Sequence, residues 1–346
     1  MIKEAISSLV AGKSLSFEEA YFVMGEIMGG EATPAQISAF LTALRIKGET
    51  VEEIAGLASV MRAKATQVRI TGPAIDIVGT GGDGSGSFNI STAAAFVVAG
   101  AGLKVAKHGN RAATSQCGSA DILEALGVKI ELSPEAVAKC IEKVGIGFMF
   151  AQVFHPAMKY AAPVRREIGI RTVFNILGPL TNPAQVEYML LGVPSEELGK
   201  KIAAVLHRLG TKHALVVHGK DGLDEISISG KSVIWDVTKE KLSPPYEVSP
   251  KSFGFDKADI KDIKGGTPKE NAATLLCILD GEKGIPRNIV VMNAAAALIA
   301  GNVTSDMKEA VRLAEEAIDN GKTKEKFYSL VEMSWSFEKD AKDNPG

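Results

Sequence analysis

The sequence predicts an α/β protein: a small all-helical domain followed by a large α/β domain whose mostly parallel central sheet is flanked by helices. Three observations carry this. The first 70 residues or so show helical spacing, with no strand pattern among them. From about residue 73, short apolar runs alternate with loops and helix patterns, the rhythm of parallel strands covered on both faces. Five glycines fall within eight residues, 79 to 86, directly after the apolar run Ile75-Asp-Ile-Val78.

The helical part is punctuated by three capping boxes, Ser16 with Glu19, Thr33 with Gln36 and Thr50 with Glu53. In each, the hydroxyl can accept the third helical N–H while the Glu or Gln reaches back to the cap. Pro34 fits a first helical position, where its missing N–H is not needed. Ile37, Phe40, Leu41 and Leu44 then fall on one helical face.

In the second part, strands are expected at 75–78, 103–106, 128–132, 213–217, 226–228 and 289–291. A short helix is expected at 121–126, where Asp121 and Glu124 fit a capping box, and another is opened by Ser133-Pro134-Glu135. One stretch breaks the rhythm. Residues 172–183, TVFNILGPLTNP, hold two prolines around a helical piece. The expected division is therefore 1–70 for the helical domain, joined by about 170–186, and 73–346 for the α/β domain.

Composition narrows the function. The chain has 346 residues, 39 basic against 41 acidic, for a net charge of −2. Such a balance gives no basic face for nucleic acid and no pull toward an anionic membrane. No apolar run reaches the roughly 18 residues of a membrane span. Cys117, Cys140 and Cys277 are too few and too scattered for a disulfide framework, and none forms a CxxC pair. The start, MIKEAISSLVAGKSL, reads as an amphipathic helix rather than a signal peptide. A reduced, cytoplasmic protein is expected.

Three loops carry the chemistry. Gly79-Thr-Gly-Gly-Asp-Gly84 matches GxGxxG, but a dinucleotide loop opens directly into its helix and needs an acid about 20 residues on. Here Ser85 to Ile90 intervene, and the later region is basic, Lys104-Val-Ala-Lys107-His108. No GK[ST] follows, which removes a Walker loop. What remains is bare backbone able to point N–H groups at an anion, with Asn89, Ser91 and Thr92 at a helix start that also favours negative charge. A glycine turn with a Ser or Asn cap would look similar. The second loop, 107–121, follows the next strand and should lie beside the first at the carboxyl edge of the sheet. Lys107 offers a point charge there, and Asn110, Thr114, Ser115 and Ser119 offer donors; Ser119 or Asp121 could equally cap a helix. The third loop ends in Asp224-Glu225, carboxylates suited to Mg²⁺ beside phosphates, or to a plain acidic turn.

Taken together, GTGGD (79–83), NIST (89–92), KHGNR (107–111), GSADILEALG (118–127), HPAMK (155–159), VR (164–165), FNILGPLTNP (174–183), the Asp224-Glu225 pair and GGTPKENA (265–272) resemble the anthranilate phosphoribosyltransferases over nearly the whole chain. The resemblance implies transfer of a phosphoribosyl group from 5-phosphoribosyl 1-diphosphate to the amine of anthranilate, the second step of tryptophan synthesis, with Mg²⁺, two ions per site. It implies a homodimer formed through the helical domain. By matching position, Gly79, Gly82, Asp83, Ser87, Asn89, Ile90, Ser91, Thr92, Lys107, Ser115 and Ser119 would hold the donor. Ser91, Asp224 and Glu225 would meet the metals. Gly79, Asn110, His108, His155, Arg165 and Pro179 would line the acceptor's route, with His108 a candidate late proton acceptor. Thr114 and Gln116 depart from the family pattern, where a serine and a basic residue are more usual. Two rivals remain. One is a pyrimidine nucleoside phosphorylase, which lacks KHGNR, GSAD and the metal carboxylates. The other is a non-catalytic nucleic-acid-binding relative, which should carry a basic face.

Overall fold

The computed structural model describes residues 1–112 and 116–343. Four helices open the chain: α1 (Ile2–Val10), α2 (Phe17–Gly29), α3 (Pro34–Lys47) and α4 (Val51–Lys64). All three expected capping boxes form. The third also serves the core. Glu53 is fully buried and accepts from Thr50 N, from Leu15 N at 2.9 Å and from Lys47 Nζ at 3.0 Å. A buried carboxylate is tolerable here because every donor it needs is present. α2 packs on α4 and α1 on α3.

The second part runs β1 (Ile75–Gly79), α5 (Ile90–Gly100), β2 (Val105–Gly109), α6 (Ser119–Ala125), α7 (Pro134–Val144), β3 (Ile146–Phe150), α8 (Ala151–Phe154), α9 (Ala162–Ile168) and α10 (Phe174–Leu177). It continues with β4 (Tyr188–Gly192), α11 (Glu196–Arg208), β5 (His213–Gly219), β6 (Ser232–Thr238), β7 (Tyr246–Val248), α12 (Pro268–Leu279), α13 (Ile285–Ala300), α14 (Met307–Asp319) and α15 (Lys322–Asp343). The seven strands form one sheet in the order β3-β2-β1-β4-β5-β6-β7. The first five are parallel, and β6 and β7 are antiparallel. The mostly parallel sheet expected from the sequence is there.

Alternation along the strands splits the core. Met189, Leu191, Val216 and Trp235 face α11 and the helical domain, while Leu190, Leu215, Val217 and Ile234 face α13. Each such side chain, buried from water, stabilises by about 1.5–3 kcal/mol. Phe174, Leu177 and Leu180 join the same apolar cluster as α2 to α4, and Arg62 on α4 donates its Nε to the Leu180 carbonyl at 2.6 Å.

Three expected strands are absent among the described residues. Residues 289–291 lie inside α13, a helix buried almost all round, so its apolar run has no period to betray it. Residues 128–132 and 226–228 lie outside the sheet: Val128, Ile130, Leu132, Ile226 and Ile228 are buried in the core, while backbone N–H groups beside them go to side chains, Lys129 N to Ser334 Oγ and Ser227 N to Ser232 Oγ. The strand expected at 103–106 is shifted to Val105–Gly109. Asp121 is not a helix cap. It stands at the third position of α6, and its carboxylate accepts the Gly118 N–H at 2.8 Å.

Candidate active site

The strand order reverses its direction of growth at the centre. From β1 the chain crosses to β2 on one side, and from β4 to β5 on the other. The carboxyl ends of β1 and β4 therefore border the crevice where such sheets bind ligands. Gly79 and Gly192 end these strands in register. A Cβ on Gly192 would overlap the Asp224 carbonyl, and one on Gly79 the Asp224 carboxylate. Two glycines thus let the acidic loop after β5 settle onto the crevice floor.

That loop is tied down from both sides. Asp224 Oδ2 accepts the Gly81 N–H at 2.8 Å, and Glu225 accepts a short hydrogen bond from Ser91 Oγ at the start of α5. Behind it, the buried Asn293 of α13 accepts from Ile226 N at 2.9 Å and donates to Ile226 O. Burial, then repulsion from Asp83, pushes Asp224 up to about 7; burial, then Asp224, pushes Glu225 up to about 8. Asp83 Oδ2 is buried without a partner. Three carboxylates crowded this way are short of positive charge. Among the described residues no group of three or more His, Cys, Asp or Glu is set to hold a metal alone. Mg²⁺ does not need one, because it takes one or two carboxylates with waters and phosphates. The donor set fits that ion.

The glycine loop between β1 and α5 is shaped by Gly81 and Gly82, both in left-handed conformation at φ 67° and 80°. Ser85 N bonds Asp83 Oδ1, and Ser87 N bonds Ser85 Oγ. Asn89 donates to Cys117 O at 3.1 Å and accepts from Asn271 Nδ2 at 3.0 Å. Gly265 N bonds Gly86 O, so the segment 265–271 props this loop from outside. Ile90 and Thr92 are buried in the first turn of α5, which leaves Ile90 only its backbone to offer.

In the middle of β2, Lys107 is buried, its Nζ donating to the Ile77 carbonyl at 2.7 Å. Burial lowers its pKa, while Asp76 and Glu225 oppose that. Asp76, pushed to about 6 by burial, accepts from His108 N and from Asn182 Nδ2 at 2.7 Å. Ser119 Oγ donates to the Asn110 carbonyl at 3.3 Å, and Asp121 also accepts Ala112 N at 2.9 Å. These bonds frame the second loop. Ser115 and Thr114 lie outside the described residues.

Of the residues expected on the acceptor's route, His155, Arg165 and Pro179 lie along the connection from β3 to β4, and His108 meets His155 from β2. His108 and His155 stand with ring centroids 5.0 Å apart, and burial holds both neutral, at about 3 and about 4. The Nε2 of each is buried with no hydrogen-bond partner. Arg165 is part-buried, its guanidinium 5.0 Å over the Phe174 ring. Pro179 is buried on the far side of this connection, against a separate cavity.

Sequence reasoning missed several positioning residues. Arg171 donates to Gly81 O at 3.2 Å and lies so close to Gly82 that a Cβ there would overlap its guanidinium. Asn271 sat inside the motif GGTPKENA without an assigned role. A carboxylate at Asp76 in the middle of a buried strand was itself a signal, since such a charge needs partners.

A helical bundle joined to an α/β domain, with a glycine loop and an acidic loop meeting at the switch point, defines a two-domain glycosyl transferase. Residues 3–65 match the model for the glycosyl transferase family's helical bundle domain, and 71–324 the model for its a/b domain. The chain belongs to the anthranilate phosphoribosyltransferase family. It is 61% identical over 337 residues to the anthranilate phosphoribosyltransferase of Dehalococcoides mccartyi, covering 97% of this chain and 99% of that one. The crystal structure of the Thermus thermophilus anthranilate phosphoribosyltransferase superposes with a TM-score of 0.90 at 46% identity, covering 95% of this chain and 99% of that one. The Saccharomyces cerevisiae enzyme in complex with PRPP and Mg gives 0.89 at 30% identity, covering 97% and 98%. No helix among the described residues is long and apolar enough to cross a membrane.

Proposed function

We propose that this chain transfers the 5-phosphoribosyl group of 5-phosphoribosyl 1-diphosphate to the amine of anthranilate, releasing diphosphate. The observation that carries the reading is the bond from Gly81 N to Asp224. It joins a bare-backbone loop to a carboxylate pair at the switch point, the arrangement a magnesium-bound diphosphate requires.

In this reading Gly79, Gly82, Asp83, Ser87, Asn89, Ser91 and Thr92, with the backbone of Ile90, cradle the donor. Lys107 and Ser119 border its diphosphate end. Ser91, Asp224 and Glu225 would hold two Mg²⁺ ions, which would supply positive charge to the departing diphosphate. The glycine-loop N–H groups and the start of α5 add fixed dipoles aimed at the same oxygens. Arg165 takes the anthranilate carboxylate and so aims the amine at C1, while Gly79, Asn110, His108, His155 and Pro179 line its route. The ribose develops oxocarbenium character as the diphosphate leaves. An aniline-type amine attacks while neutral, so no strong base is required. His108, kept neutral by burial, takes the amine proton only once the new bond has made it acidic. Catalysis is then chiefly positioning and electrostatics.

The chain works in the cytoplasm as a homodimer, with residues 1–70 and about 170–186 as one structural unit. Val10, Phe22 and Ile46 stand exposed on that unit and favour burial in a partner. The test is loss of anthranilate fluorescence on mixing protein, 5-phosphoribosyl 1-diphosphate and Mg²⁺, with an EDTA control and a diphosphate assay. Donor binding by calorimetry without turnover would keep the donor site and reject the acceptor. No donor binding would reject the reading.

A further inference from the structure

A cavity of about 490 Å³ lies away from the crevice, at the amino-terminal edge of β4 and β5. Arg62 at the end of α4, Asn182 and Pro179 form one wall, and Met189 and Leu209 the apolar part. It lies between the end of α4 and the segment entering β4. Directly beside it, Val68 N bonds Pro183 O at 3.1 Å and Gln185 Nε2 bonds Gln67 Oε1 at 2.7 Å, so the chain leaving α4 is laced to the chain entering β4.

The charges here do not cancel. Lys212 is matched by Glu187 at 3.0 Å, and Glu240 is exposed at the rim beside Lys239. Arg62 has no carboxylate partner among the described residues. Its Nε is spent on the Leu180 carbonyl, and burial lowers its pKa with no acid opposing. A guanidinium left short of an anion, with Pro179, Val186, Met189 and Leu209 as the apolar part of an otherwise polar lining, suits a planar carboxylate on a compact apolar body. The volume falls within the range of small-molecule sites.

We propose that this cavity is a second binding site, taking a small apolar monocarboxylate, with Arg62 as its anchor. The site goes beyond the transfer reaction and does not rest on it. Asn182 lines the cavity and also donates to Asp76 of β1, which accepts from His108 N.

The test uses the full chain and 3-(4-fluorophenyl)propionate, which has no amine to be ribosylated, followed by fluorine NMR. The carboxylate should bind and its neutral amide should not. Arg62→Gln should weaken binding about tenfold, the worth of a charge-assisted hydrogen bond. Lys239→Glu, at an exposed position, should weaken it several-fold and decides the matter if Arg62→Gln fails to fold. Arg165→Gln should leave it unchanged. No binding, or binding lost in Arg165→Gln and kept in the other two variants, overturns the proposal; the latter result places the probe in the acceptor route.

Discussion

The Asp224 carboxylate accepts the Gly81 N–H at 2.8 Å, which fastens the acidic loop after β5 to the glycine loop after β1. Asp224→Asn keeps an acceptor for that N–H and removes the charge. The Mg²⁺ concentration for half-maximal rate should rise about tenfold or more, with KM for anthranilate little changed. A metal titration of the initial rate reads this directly, and an unshifted titration removes Asp224 from the metal site.

Arg165, proposed to take the acceptor's carboxylate, lies over the Phe174 ring and has no carboxylate partner among the described residues. Arg165→Gln should cost about 2 kcal/mol of acceptor binding, roughly a 30-fold rise in KM for anthranilate. KM for the donor should stay within about twofold, the scatter expected where no contact is lost. Equal rises in both would mean the site has deformed rather than lost a partner.

Gly192→Ala should push the Asp224 carbonyl away. We expect a loss of about 1–3 kcal/mol in stability from overpacking, together with a weaker response to Mg²⁺. Gly199→Ala is the control: its Cβ would overlap the Trp235 ring, away from the crevice. It should lower the thermal midpoint similarly and leave the metal titration alone.

Arg171 is exposed, so its removal should spare the fold. Arg171→Ala should raise KM for the donor about tenfold by loosening Gly81 and Gly82, with the thermal midpoint unmoved. Arg171→Lys should recover part of the loss, since one donor to the Gly81 carbonyl remains.

His108 titrates near 6.5 when unfolded and at about 3 when folded, because burial penalises its charged form. The unfolded chain therefore binds the proton first. The stability contributed by the neutral ring is whole above pH 6.5 and is lost as pH falls from there toward 3. His108→Asn should flatten the denaturation midpoint against pH in that window relative to the parent. Parallel curves would mean His108 is solvated.

What the sequence showed, and what it hid, divides along physical lines. The helix starts were legible because a cap is a local contract between a hydroxyl and the residue three places on, as at Ser16 and Glu19. The glycine and acidic loops were legible because few other residues fit there. β3, β4, β6 and β7 were not singled out, and 289–291 was misread, because a run such as Ile289-Val-Val291 is apolar whether it lies in a buried helix or a buried strand. Asn293, Asn271 and Arg171 were invisible for another reason. Each acts on a loop far away in sequence, and nothing local marks the partner.

The in-register pairing of β1 with β4 has a consequence for how the chain is made. β1 is complete early in synthesis, yet its neighbour Tyr188–Gly192 emerges only after α5 to α10 and two other strands. At ribosomal speeds that interval is roughly ten seconds. During it the edge of β1 stands open beside a half-built sheet, while the helical bundle and the β1–β3 unit already have chain enough to compact. In that interval the unpaired edge of β1 is open to wrong strand pairing, and only the arrival of β4 closes it.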